Sequence, residues 1–278
     1  MKTRATLTID SQLLKKVDSQ VNGSTIKNRS HAVELLLMRA LNEHTPKRCV
    51  ILAGGKGTRL RPITYEIPKA LIPIHGKTLT EHLFDLLRHY DIQEVTMAVG
   101  HMADKIKAYY GDGTKFGMRI SYVEESEPLG TAGPMRLARQ QLTSTFIVQN
   151  GDELKNINIH DMYQFHRKNK ALATIALTTM SDPSHYGVAK LDGPRILSFV
   201  EKPPLGKQPS NLINSGFYIL EPEVLNYIPK GYAMFEKDVF PKLAAIGKLY
   251  GYPFSGQWYD TGNIERYERA LKEWKDIS

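Results

Sequence analysis

The chain has 278 residues, 41% hydrophobic and 24% charged, with 37 lysines and arginines against 29 acids and a net charge of +8. That is the composition of a globular protein with a sizeable core, and no apolar run is long enough to span a bilayer. The single cysteine, Cys49, excludes an internal disulfide, and the nine scattered histidines offer neither an HExxH motif nor a Cys/His cluster for zinc.

The charge is uneven: residues 1–48 hold nine basic and four acidic side chains. They open with MKTRATLTID, which lacks the apolar core of a signal peptide, so a cytoplasmic setting is expected. Ala5, Leu7 and Ile9 alternate with polar residues, which predicts a half-buried strand. Asp10 or Ser11 can cap a helix carrying Leu13, Leu14, Val17 and Val21 on one face, and Gly23 stops it. A second helix follows from Asn28–Ser30 through Leu41. One strand and two helices cannot build an adequate core alone, so residues 1–45 read as a module that needs a partner.

That pattern resembles the ribbon-helix-helix DNA-binding family, whose members pair their strands across a dimer. The resemblance implies that Arg4, Thr6 and Thr8 face base edges in the major groove of double-stranded DNA, with Lys2, Lys15, Lys16 and Lys27 near phosphates. Threonines are weak base readers, so a dimerisation clasp without DNA binding stays open. Residues 43–48 form a short polar linker to a second domain over residues 47–278.

Cys49 to Ala53 is an apolar run bounded by glycine, a predicted buried parallel strand in which Cys49 serves packing. The loop GGKGTRLRP follows. Three glycines in four positions let a backbone approach a ligand with its amides, and Lys56, Arg59 and Arg61 add positive charge. This suits a polyphosphate. The spacing is not that of a P-loop, and Leu60 occupies the position where a dinucleotide fingerprint needs its third glycine. Pro68, Lys69 and Pro73 come next, closed by Gly76 and Lys77. Together these two segments resemble the signature of the nucleoside-diphosphate-sugar pyrophosphorylases, the sugar-1-phosphate nucleotidyltransferases.

Downstream, Leu79, Leu83, Leu86, Leu87 and Tyr90 mark one face of a helix. A strand is predicted at 95–100, a helix at 103–111 and a strand at 119–125. The alternation predicts an α/β fold, a Rossmann-like, mostly parallel sheet with helices on both faces, with ligands outside the carboxyl ends of the strands. The loop EPLGTAGPM precedes a predicted helix at 134–142. The strand 145–149 ends in Asn150-Gly151-Asp152. A carboxylate there is costly unless it binds something, and a hard divalent cation is its natural partner. A strand at 173–180, the segments YGV, FVEKP and NSGFYIL, and WYDTG before a last helix at 263–275 complete the chain.

The resemblance extends over these six motifs in the family's order. It implies that Ala53, Gly54, Gly55, Gly57, Thr58, Leu129, Gly130 and Thr131 bind the nucleotide, and that Arg59, Lys69 and Asp152 are catalytic. It implies that Gly187, Glu201, Lys202 and Asn214 hold the sugar phosphate, and that Asp152 and Asp260 bind Mg²⁺. Ile264 stands where the family often has proline. No hexapeptide repeat follows, so an acyltransferase activity is not expected. The implied reaction joins a nucleoside triphosphate and a sugar 1-phosphate into an NDP-sugar, releasing pyrophosphate. LGTAG looks most like GDP-mannose pyrophosphorylases, which favours GTP with mannose 1-phosphate. Open alternatives are dTTP or UTP with glucose 1-phosphate, a heptose phosphate, or a DNA-binding regulator that only senses sugar nucleotides. The expected assembly is a homodimer or larger, away from membranes.

Overall fold

The structure, a computed structural model, describes residues 5–23, 26–40, 45–204 and 206–277. The chain divides into two units, Met1–His44 and Thr45–Ser278.

In the first unit, α1 (Ser11–Asp18) starts where the sequence supplies a cap: the Asp10 carboxylate accepts from the amides of Gln12 and Leu13 at 2.9 and 3.0 Å. It ends before Val21, earlier than its apolar spacing predicts. The amides of Asn22 and Gly23 both donate to the Ile26 carbonyl, closing a turn that takes the chain out of the helix. α2 (Arg29–Ala40) follows, and its Arg29 pairs with Asp18 at 2.6 Å. The predicted strand at 5–9 is irregular backbone. A ribbon strand takes its ladder partner from a second chain, and a single chain supplies none. Arg4 lies outside the described residues; Thr6 and Thr8 lie in the irregular segment.

The second unit contains β1 (Arg48–Ala53), a hairpin of β2 (Pro73–Ile74) and β3 (Lys77–Thr78), α3 (Leu79–His89), β4 (Glu94–Val99), α4 (Ala103–Tyr110), β5 (Arg119–Glu124) and α5 (Pro134–Leu137). It continues with β6 (Phe146–Asn150), β7 (Glu153–Lys155), α6 (Ile159–Asn169), β8 (Ala173–Thr179), β9 (Gly187–Asp192), β10 (Arg195–Glu201) and β11 (Leu212–Leu220). It closes with α7 (Phe240–Ala245), β12 (Leu249–Pro253), β13 (Trp258–Asp260) and α8 (Ile264–Glu273).

Nine strands form one sheet in the order β5-β4-β1-β6-β11-β8-β12-β10-β9. Alternation along β1 sends Cys49 and Ile51 to one core and Val50 to the other, the mark of a strand covered on both faces. α3, α4, α6 and α8 contribute to the first core, α5 and α7 to the second. The sheet is mixed rather than mostly parallel. β5, β4, β1 and β6 run parallel, but β11 is antiparallel to β6 and β8, and β10 is antiparallel to β12 and β9. For β9 and β10 the cause is connection length: they are joined by a tight turn that leaves no room for a crossover helix. The helix predicted at 134–142 is also shorter: α5 gives way to a 3₁₀ turn at Arg139–Gln141.

Cys49 is fully buried, and burial pushes its thiol well up, consistent with packing rather than reactivity. Among the described residues, no helix is long and apolar enough to cross a membrane.

α3 begins with a capping box. Thr78 Oγ1 accepts from the Glu81 amide at 3.2 Å, and Glu81 Oε2 accepts from the Thr78 amide at 2.6 Å. The same hydroxyl meets Tyr110 on α4 at 2.6 Å. Thr78→Ala is therefore expected to lower stability by about 1–2 kcal/mol in urea unfolding.

Candidate active site

Parallel strands β1 and β6 end side by side, and their carboxyl ends carry the loops the sequence singles out. The Gly151 amide donates to the Leu52 carbonyl at 2.9 Å, which fixes the Asp152 loop beside the glycine loop. Between them lies a cleft of about 350 Å³. Ala53, Gly54, Gly55, Lys69, Gly130, Thr131 and Asp152 all line it, so seven of the predicted residues meet there. Gly57 adopts φ +62, and a Cβ there would come within 2.8 Å of the Thr64 methyl, which explains the glycine. Thr58 and Arg59 begin the short turn Thr58–Leu60 that follows.

The Lys69 ammonium forms an ion pair with Asp152 Oδ2. A third of the Asp152 side chain remains exposed, whereas Lys69 is mostly covered. Burial alone would raise the Asp152 pKa; the charges of Lys69, Lys155 and Arg59 outweigh it and hold the carboxyl below its ordinary value.

Asp260 reaches this region by a route remote in sequence. β13 pairs antiparallel with β7, which sets Asp260 opposite Glu153. Thr261 then donates twice to the Asp152 carbonyl, from its amide at 3.0 Å and its hydroxyl at 2.8 Å. Asp260 Oδ1 accepts from the Gly262 amide at 2.6 Å, and Oδ2 from Arg266 at 2.5 Å and from the Tyr186 hydroxyl at 3.3 Å. A Cβ on Gly262 would stand 3.0 Å from the Arg59 guanidinium. Asp260 also borders a second, polar cleft of about 510 Å³ with Tyr186, Trp258 and Arg266.

The other predicted residues do not line the first cleft. Gly187 and Glu201 face each other across β9 and β10, and a Cβ on Gly187 would press on the Phe199 ring and the Glu201 carboxylate. Lys202 is mostly exposed, takes φ +48, and its ammonium stands 3.5 Å from Glu201. A lysine held in the left-handed region is unusual and occurs where surrounding structure imposes it. Asn214 is buried in β11. Leu129 donates its amide to Glu125 at 2.8 Å rather than lining the cleft.

Sequence reading missed four groups. Glu125 borders the cleft, and burial raises its pKa. Arg266 holds Asp260. Glu236 is buried beside Thr131. Glu153 and Lys155 form a buried pair at 3.5 Å, with Glu153 also accepting from Asn150 and from the Trp258 indole, each at 2.8 Å. Burial raises the Glu153 pKa, with Asp152 and Asp260 adding to it and Lys155 opposing; burial lowers that of Lys155 against the pull of both carboxylates. Only the alternation of Glu153 and Lys155 about Leu154 could have signalled this, and that signal is faint.

Among the described residues no three His, Cys, Asp or Glu side chains form a ready metal cage. Two carboxylates on converging loops nevertheless suit a hard divalent cation that completes its shell with water and phosphate oxygens.

The sequence profile of the family described as Nucleotidyl transferase matches residues 48–276. The chain belongs to the nucleotidyl transferase family. It is 37% identical over 242 residues to a UTP–glucose-1-phosphate uridylyltransferase of Synechocystis sp., covering 81% of this chain and 62% of the relative. It is 39% identical over 221 residues to the mannose-1-phosphate guanyltransferase beta-A of Xenopus laevis, covering 77% and 61%. The chain thus spans a little over three-fifths of the length of these relatives. In solved structures it is similar to HddC from Yersinia pseudotuberculosis, with a TM-score of 0.69, 30% identity, and coverage of 81% of this chain and 98% of that one. HddC has also been solved in complex with GMP-PN. In this chain the family match begins at Arg48, the first residue of β1, so it falls entirely within the second unit.

Removing the ammonium of the buried pair leaves the Glu153 carboxylate without its counter-charge. Lys155→Met is expected to destabilise the protein by about 3–5 kcal/mol in urea unfolding. The double variant Glu153→Gln/Lys155→Met is expected to lose less than the single one.

Proposed function

We propose that this nucleotidyl transferase joins a nucleoside triphosphate to a sugar 1-phosphate and releases pyrophosphate. The observation that carries the reading is the meeting of Lys69 with Asp152 in the cleft at the ends of β1 and β6, with Asp260 tied to the same loop. The sugar phosphate oxygen attacks the α-phosphorus in line with the departing pyrophosphate. That oxygen is already anionic, so neither a protein nucleophile nor a strong base is needed, and catalysis reduces to alignment and charge neutralisation. The glycine loop, from Ala53 to Thr58, and Arg59 hold the β- and γ-phosphates. Leu129, Gly130 and Thr131 lie against the base and ribose. Lys69 neutralises charge at the α-phosphate, and Lys202 retains the attacking phosphate while Glu201, Asn214 and the bare face of Gly187 receive the sugar. Asp152 and Asp260 would hold Mg²⁺, which when bound supplies positive charge between the two anionic substrates.

GTP with mannose 1-phosphate is our preferred pair, supported by LGTAG and by the name of the Xenopus relative. UTP with glucose 1-phosphate is the second reading, favoured by the name of the Synechocystis relative at nearly equal identity. Pyrophosphate release from a matrix of GTP, UTP and dTTP against mannose, glucose and heptose 1-phosphates decides. We expect turnover with GTP and mannose 1-phosphate, abolished by EDTA. Nucleotide binding without turnover for any pair would instead favour a sensor of sugar nucleotides.

The first unit is proposed as a ribbon-helix-helix module that dimerises the chain and binds DNA. Its support is the capped α1, the following α2 and three exposed leucines, Leu7, Leu13 and Leu37. If it binds DNA, the full chain should shift a duplex in a gel at low salt and release it steeply as salt rises. A dimer that never shifts DNA would leave a clasp only.

A further inference from the structure

One carboxyl that the proposed reaction does not use lies between residues assigned to different substrates. Glu236 sits in a π-helical turn, Phe235–Val239, and is 6% exposed. Such turns are rare and cluster at functional sites. Its Oε2 accepts from the Thr131 hydroxyl at 2.6 Å, and its Oε1 from the Tyr218 hydroxyl at 3.3 Å. Each partner leads elsewhere. Thr131 lines the cleft at the end of β1, and its hydroxyl also accepts from the Phe235 amide at 2.9 Å. Tyr218 accepts from the Asn214 side-chain amide at 2.8 Å, and Asn214 in turn accepts from the Gly216 amide at 2.9 Å.

The backbone around this carboxyl is stitched to the same loop. The Ala132 and Gly133 amides donate to the Ala233 carbonyl at 2.9 and 3.2 Å, and the Ala233 amide donates to Leu129 at 2.9 Å. Gly130 takes φ +77 with no space for a Cβ against Ala233. On the other side, the rings of Phe235 and Phe240 pack on Tyr218 at 5.6 and 5.1 Å between centroids. Burial raises the pKa of Glu236 and, further, that of Tyr218, as expected of groups sealed from water. A buried carboxyl adds little stability over an apolar side chain of equal size. What it does add is a fixed direction for both hydroxyls that bond to it.

We propose that Glu236 is a positioning residue for both substrates at once, orienting Thr131 on the nucleotide side and, through Tyr218, Asn214 on the sugar side. The inference rests on the nucleotidyltransferase reading above. Glu236 touches neither substrate, so its removal acts on binding of both and little on the chemical step.

The test is initial-rate kinetics on the full chain with GTP and mannose 1-phosphate, or with UTP and glucose 1-phosphate if the wild type turns over that pair. Glu236→Leu is expected to raise both KM values about five- to tenfold, the loss of roughly one hydrogen bond at each subsite, with kcat little changed. Glu236→Gln, whose amide oxygen can accept from Thr131 but whose amide nitrogen cannot accept from Tyr218, should restore the nucleotide KM more fully than the sugar phosphate KM. Two milder variants separate the arms and carry the test if Glu236→Leu does not fold: Thr131→Val should raise only the nucleotide KM, and Tyr218→Phe only the sugar phosphate KM. A merely structural Glu236 would lower Tm and the active fraction while leaving both KM values in place. That result, a change in only one KM in Glu236→Leu, or no split between the milder variants, overturns the inference. A wild type that turns over no pair overturns the functional reading and this inference with it; turnover with unmoved KM values overturns the inference alone.

Discussion

Charge balance around Asp152 is the constraint on which the site depends. Asp152, Glu153 and Asp260 converge there, and burial together with the two neighbouring carboxylates raises the proton affinity of Glu153. The protein answers with Lys69 on Asp152, Lys155 on Glu153 and Arg266 on Asp260. The distribution is unequal: Lys155 is sealed in the core, whereas Asp152 keeps an exposed face on the cleft. The inner pair fixes the scaffold, and Asp152 keeps a face open to a ligand.

That arrangement needs two segments far apart in sequence to converge. β6 delivers Asp152 at its carboxyl end, and β13 delivers Asp260 only because it pairs with β7 immediately after. Thr261, bonded twice to the Asp152 carbonyl, closes the junction. The change from parallel to antiparallel pairing at β6 and β11 brings Asn214 and Gly216 alongside the same region. A Cβ on Gly216 would collide with Asn150 and Glu153. The sheet reversal is thus what sets Asn214 and Gly216 beside Asn150 and Glu153.

Much of this was legible in the sequence where the signal was local. The run Cys49 to Ala53, the glycine loop, the capping residue of α1 and the strand that leads into Asp152 each encode their structure within a few residues. The unread part was non-local. Nothing around Glu153 or Lys155 announces a partner strand a hundred residues away, and Glu236 gains its neighbours only through tertiary packing. The sheet direction is not local either: the strand-helix alternation of the first half does not continue into the second, where β9 turns straight back into β10. The strand expected at residues 5–9 is irregular backbone in this chain.

The central claim is that Asp152 is held ionised and open to the cleft in order to organise two anionic substrates. Turnover of Asp152→Asn, compared with the wild type at saturating substrates and with unchanged thermal stability, tests it most directly. The account predicts a loss of about a hundredfold or more, on the scale of removing a preorganised electrostatic contact to the transition state. Near-normal turnover in a folded Asp152→Asn protein would contradict it.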